Sequence, residues 1–205
     1  MLEDVSLSVA AGELVDVRGP SGCGKSTLLR ALCRLLPRAG GELLLRGRPD
    51  SQVDGAAWRT QVCLAPQRVS LVSGSVRDNL LLPWTLRARR DAAPPADEEL
   101  LGLLGRLGLG GVELARDASQ LSGGQQARVA LARVLATRPA VLVLDEVDAA
   151  LDEESAERVR ACVRSLVDEG LACVQVSHHV GDGAADAVVS LRAGRVTWIE
   201  RREAR

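Results

Sequence analysis

The chain has 205 residues, 26 basic and 27 acidic side chains, a formal charge of −1 and 46% hydrophobic residues. That length suits one domain with a buried core, and well-mixed charge gives no basic footprint, so no nucleic-acid partner is expected. With three Trp and neither Phe nor Tyr, the core must be built from Leu, Val and Ala. Five scattered cysteines lack metal or redox spacing and point to a reducing compartment. No apolar run reaches the roughly 20 residues of a membrane helix, so membrane association is expected to come through a partner.

Residues 13–18 read as a strand, followed by a glycine-rich turn and a helix from Ser26 to about Leu36, which Pro37, Gly40 and Gly41 stop. Residues 42–45 and 62–65 read as short strands. Residues 75–82 suit a short helix, and the charged, proline-containing stretch 87–99 is the best loop candidate. Apolar residues recur at helical spacing over 98–107, and glycines at 108, 110 and 111 break the pattern. A strong helix is expected over 123–136, and Val141 to Leu144 form a continuous apolar strand of the kind buried on both faces of a parallel sheet. A helix over 153–168, a strand over 171–176 and strands near Val188 and Val196 complete an alternating α/β pattern without internal repeats.

The turn after the first strand reads Gly19, Pro20, Ser21, Gly22, Cys23, Gly24, Lys25, Ser26, Thr27. This is G-x-x-x-x-G-K-[ST] between a strand and a helix, the context in which the pattern cradles phosphates. The glycines let backbone N–H groups turn inward, and the helix N-terminus adds partial positive charge. Lys25, the only lysine beside twenty-five arginines, is a compact point charge where a guanidinium would have little room. Ser26 offers a hydroxyl to Mg2+. The apolar strand ending in Asp145 and Glu146 supplies the other half of a phosphate-transfer site. Asp145 is expected to face the metal, and Glu146 to polarise the attacking water as general base.

Leu121, Ser122, Gly123, Gly124 and Gln125 stand just before the 123–136 helix. Together with the phosphate loop and the Asp-Glu strand end, this pentapeptide resembles the ATP-binding cassette (ABC) ATPases over essentially the whole chain. The resemblance implies a P-loop α/β fold with a parallel-sheet core, a small antiparallel β portion and a helical signature subdomain. A single domain is expected over 1–205, its core at about 1–70 and 128–205 and its helical part at about 71–127. It further implies ATP and Mg2+ as ligands, and a head-to-tail pair of cassettes in which Ser122, Gly123, Gly124 and Gln125 meet the nucleotide of the second copy. Gln67 matches the family's glutamine loop, which reaches metal and water. Asp152, after Ala150 and Leu151, matches the loop that crosses the dimer interface, and His178 matches the switch histidine.

Two departures stand out. Val147 and Asp148 replace the usual Pro-Thr or Pro-Ser, which alters the local turn. The family stacks adenine on an aromatic residue upstream of the segment resembling residues 2–7, and this chain offers no Tyr or Phe for it. The expectation is an incomplete start, the other reading being adenine held by apolar contacts; a non-transport or regulatory ABC ATPase with weakened nucleotide binding is the alternative function. The resemblance also implies an ATPase at the cytoplasmic face of a membrane, held there by a separate permease. The stretch from Val76 to Trp84 is similar to the exporter-type subfamily linked to iron homeostasis, which makes metal (iron) export the candidate transport.

Overall fold

The computed structural model describes residues 2–37, 40–68, 70–177 and 185–201, apart from the Trp198 side chain. Strand β1 (Leu14–Arg18) leads through the glycine-rich turn into helix α1 (Lys25–Leu32). The helix stops four residues short of the expected end. Arg34 takes a left-handed φ of 53°, and its N–H and that of Leu35 donate to the carbonyls of Ala31 (3.0 Å) and Arg30 (2.9 Å). That is a Schellman closure with arginine where glycine is usual. The strain is offset by the Arg34 guanidinium, which donates to the carbonyls of Asp50 and Val53.

The expected strand over 42–45 shortens to β2 (Leu44–Leu45), which pairs antiparallel with β3 (Arg48–Pro49). Both loop residues, Arg46 and Gly47, have positive φ, as a tight hairpin turn requires. Helix α2 (Gly55–Gln61) is an element that no periodic pattern predicts. Asp54 caps it by accepting from Ala56 and Ala57, and Trp58 anchors it by burying its ring and donating to the Leu32 carbonyl at 2.9 Å. Strand β4 (Val62–Ala65) follows as expected.

Helix α3 (Val76–Thr85) opens on a capping box between Ser75 and Asp78 and carries Pro83 in its last turn. Asn79, the only asparagine, is 0% exposed. Its carboxamide accepts from Val72 N–H (2.8 Å) and donates to the carbonyls of Val72 (2.9 Å) and Ser75 (3.0 Å). One side chain thus satisfies the backbone of the turn that leads into α3. Helix α4 (Asp97–Arg106) begins inside the stretch expected to be loop, with three acidic residues in its first turn where the helix dipole favours them. Then come α5 (Gly123–Leu135), β5 (Val141–Asp145), α6 (Glu153–Asp168), β6 (Ala172–Val176), β7 (Ala187–Arg192) and β8 (Arg195–Arg201).

Among the described residues the main sheet runs β4-β5-β6-β1-β7-β8, parallel except for β8, which pairs antiparallel with β7. Successive strand residues face opposite sides. Leu14, Leu142 and Leu144 join helices α3 to α6 in one apolar cluster. Val15, Val17 and Val143 join α1 and α2 in the other. Burial on both faces explains the near-continuous apolar strands. No disulfide forms among the five cysteines, and burial pushes the Cys33 thiol up to about 12. Among the described residues no helix is long and apolar enough to cross a membrane.

Candidate active site

The carboxyl ends of β1, β5 and β4 lead respectively into the glycine-rich turn, the acidic pair and the Gln67 loop. In an open α/β sheet this is the edge where ligands bind. The turn is tight. A Cβ on Gly19 would lie 2.1 Å from the Leu191 carbonyl oxygen and 2.7 Å from the Cys23 sulfur. Gly22 and Gly24 have φ of 77° and 109°, and Gly24 forms the boundary of α1. Pro20 and Ser21 lie exposed on the turn; Lys25, Ser26 and Thr27 make the first turn of the helix. Lys25 Nζ donates to the carbonyls of Gly19 (2.9 Å) and Pro20 (3.2 Å), so the ammonium lies across its own loop.

Asp145 is 4% exposed at the end of β5, and Ser26 Oγ donates to its Oδ1 at 3.1 Å. One residue later Glu146 takes a left-handed φ of 51°, with its N–H donating to the Val176 carbonyl at 3.0 Å. A non-glycine residue in that region carries strain that the surrounding structure must hold, and such residues cluster at functional sites. Gln67 Nε2 donates to Glu146 Oε2 at 2.6 Å. Ser26 of the loop thus meets Asp145, and Gln67 meets Glu146. The oxygen donors of Ser26, Asp145 and Gln67 are hard ligands that fit Mg2+, and the glycine-lined turn fits a phosphate chain. His178 lies outside the described residues.

A second group forms elsewhere. Ser122 caps α5, its hydroxyl accepting from Gln125 N–H (3.3 Å) while Gln125 Oε1 accepts from Ser122 N–H (3.0 Å). Gly123 and Gly124 make the first turn, an N-terminus suited to an anion. Asp152 caps α6 by accepting from Ser155 N–H at 2.9 Å, and that bond holds its carboxyl below the usual range. A Cβ on Gly124 would meet Leu151 at 3.5 Å, so the two helix starts adjoin. Among the described residues no hydrogen bond joins this group to the phosphate loop.

Sequence reasoning missed Arg128, which donates from α5 to the carbonyls of Gly124, Leu107 and Gly108. Its partners are backbone oxygens, which no residue letter announces.

Residues 2–149 match the family model described as ABC transporter. The chain is 35% identical over 194 residues to a probable iron export ATP-binding protein, FetA, of Escherichia coli strain K12, covering 94% of this chain and 84% of that protein. It is 38% identical over 207 residues to a sulfate/thiosulfate import ATP-binding protein, CysA, of Synechocystis, covering 97% of this chain and 56% of that protein. The chain thus spans little more than half of that importer protein. Its fold also superposes on the dimeric post-hydrolysis ATP-binding cassette MJ0796 bound to ADP and Pi. The TM-score is 0.83 at 28% identity, over 99% of this chain and 91% of that one.

Proposed function

The chain belongs to the ABC transporter family, and we propose that it is the ATP-hydrolysing subunit of a transporter, working as a head-to-tail pair of copies on a separate membrane permease. The observation that carries the reading is the joining of the loop and glutamine to the acidic strand end, Ser26 to Asp145 at 3.1 Å and Gln67 to Glu146 at 2.6 Å. Phosphoryl transfer asks the protein for positioning and charge stabilisation, and these contacts supply both.

In this reading Glu146 is the general base. Its carboxylate takes a proton from the water that attacks the γ-phosphorus, and Gln67 orients that carboxylate through the bond to Oε2. Lys25 exchanges its two loop carbonyls for phosphate oxygens when nucleotide enters. Ser26, Asp145 and Gln67 would hold Mg2+, which when bound would supply positive charge to the phosphate oxygens. Ser122, Gly123 and Gly124 of the second copy donate to the γ-phosphate, where preorganised donors are worth most. Asp152 follows at the copy-to-copy boundary, and His178 contacts the γ-phosphate in the role its resemblance implies. The helical part, about residues 71–127, meets the permease, placing the subunit at the cytoplasmic face of the membrane. Iron is the proposed cargo and export the proposed direction, supported by the stretch from Val76 to Trp84 and by the likeness to the iron export protein.

Hydrolysis by the purified chain tests the reading. At low protein concentration the rate should rise with the square of concentration, because two copies build each site. Glu146→Gln should lower the rate by about 100-fold or more while leaving ATP bound. A rate linear in concentration, or a Glu146→Gln protein turning over normally, contradicts it. For the cargo, cells lacking the subunit should retain iron under iron load; unchanged iron with another ion altered reassigns the substrate.

A further inference from the structure

Arg128 stands in the second turn of α5, half-buried, and contributes nothing to the nucleotide chemistry described above. Its guanidinium bonds backbone through two of its three nitrogens. Nε donates to the Gly124 carbonyl at 3.2 Å, and Nη1 donates to the carbonyls of Leu107 (3.1 Å) and Gly108 (3.2 Å). Leu107 is the C-terminal cap of α4, so two of the acceptors lie where that helix leaves carbonyls unpaired and its dipole favours a cation. The receiving turn is shaped for the contact. Gly108 has a φ of +71°, and a Cβ there would lie 2.6 Å from Arg158 Cδ and 3.2 Å from Arg128 Nη1. Arg158 belongs to α6, whose N-terminal cap is Asp152. Leu151 in turn rests against Gly124.

We propose that Arg128 is a positioning residue that locks the Ser122–Gly124 turn to the loop after α4 and, through Leu151 resting on Gly124, steadies the Asp152 turn beside it, so that both elements offered to the second copy move as one rigid edge. The chemistry suits arginine alone among the cations. A planar fork reaches three carbonyls from two nitrogens, whereas a lysine ammonium is a single flexible point. Donors that stabilise developing phosphate charge act only when already in place, so loosening the edge costs pairing and turnover without touching nucleotide capture. The inference rests on the reading of Ser122 to Gln125 as contacts to the nucleotide of the second copy.

The test uses the full chain carrying Glu146→Gln, with sedimentation in Mg2+ and ATP. The parent should pair. Adding Arg128→Gln should raise the dimer dissociation constant by roughly tenfold or more, the scale of lost charged hydrogen bonds. ATP affinity of the single copy should stay unchanged. Arg128→Lys should not restore pairing. Gly108→Ala, which disturbs the accepting turn while keeping the arginine, should weaken pairing in the same direction. Arg106→Ala removes another brace, to Ser165 in α6 and Glu169 at its C-terminal cap, and should lower thermal stability without moving the dimer constant. Normal pairing by Arg128→Gln, full rescue by lysine, or an equal loss in Arg106→Ala overturns the positioning role. A Glu146→Gln parent that stays single overturns the shared-site reading itself.

Discussion

At Gly19 one added methyl group has nowhere to go, since its Cβ would fall 2.1 Å from the Leu191 carbonyl oxygen. The obstacle is backbone of the central sheet, which cannot swing aside as a side-chain tip can. Gly19→Ala should therefore cost about 1 to 3 kcal/mol of stability, typical of overpacking, and should also weaken ATP binding by shifting the loop whose N–H groups would face the phosphates. Denaturant midpoints and nucleotide titration check both; an unchanged midpoint would mean the turn yields more easily than its packing implies. Much at this scale was readable in the letters. Lys25, Ser26, Asp145 and Glu146 stand in contiguous motifs whose chemistry needs those side chains in that order, and Gln67 follows a strand end. Arg128 and Asn79 were not readable in their roles, because each is partnered by backbone groups that every residue carries.

Helices and strands were legible where apolar spacing is long, as in α5 and α6, and illegible where capping decides. The seven-residue α2 is too short for a periodic pattern; Asp54 and the buried Trp58 make it. The end of α1 was misplaced because the stop is an arginine in a left-handed turn, held by bonds to Asp50 and Val53 that lie farther along the chain. Capping also makes a pH prediction. The Ala57 N–H holds the Asp54 carboxyl below its ordinary range, the Ser75 hydroxyl does so for Asp78, the Ser119 hydroxyl for Asp117, and the Ser155 N–H for Asp152. A carboxyl lowered on folding adds stability that is fully present above its unfolded value, about 3.9, and is lost as pH falls through the folded value. The thermal midpoint should thus hold steady near neutrality and drop in acid, and Asp78→Asn should lower the neutral midpoint while flattening part of the drop. A midpoint that rises on acidification contradicts this.

Across the whole molecule, the parallel sheet gathers the phosphate loop, the acidic pair and Gln67 at one edge, while the starts of α5 and α6 form a separate edge without a hydrogen bond to the first among the described residues. On the proposed function these are two halves of one site, which a second copy brings together. Sedimentation of Glu146→Gln, with and without Ser122→Arg, tests this most directly. Mg2+ and ATP should drive Glu146→Gln into dimers, and the doubly substituted chain should stay single while still binding ATP. A Glu146→Gln chain that remains single at saturating ATP, or a doubly substituted chain that pairs as well as its parent, would contradict it.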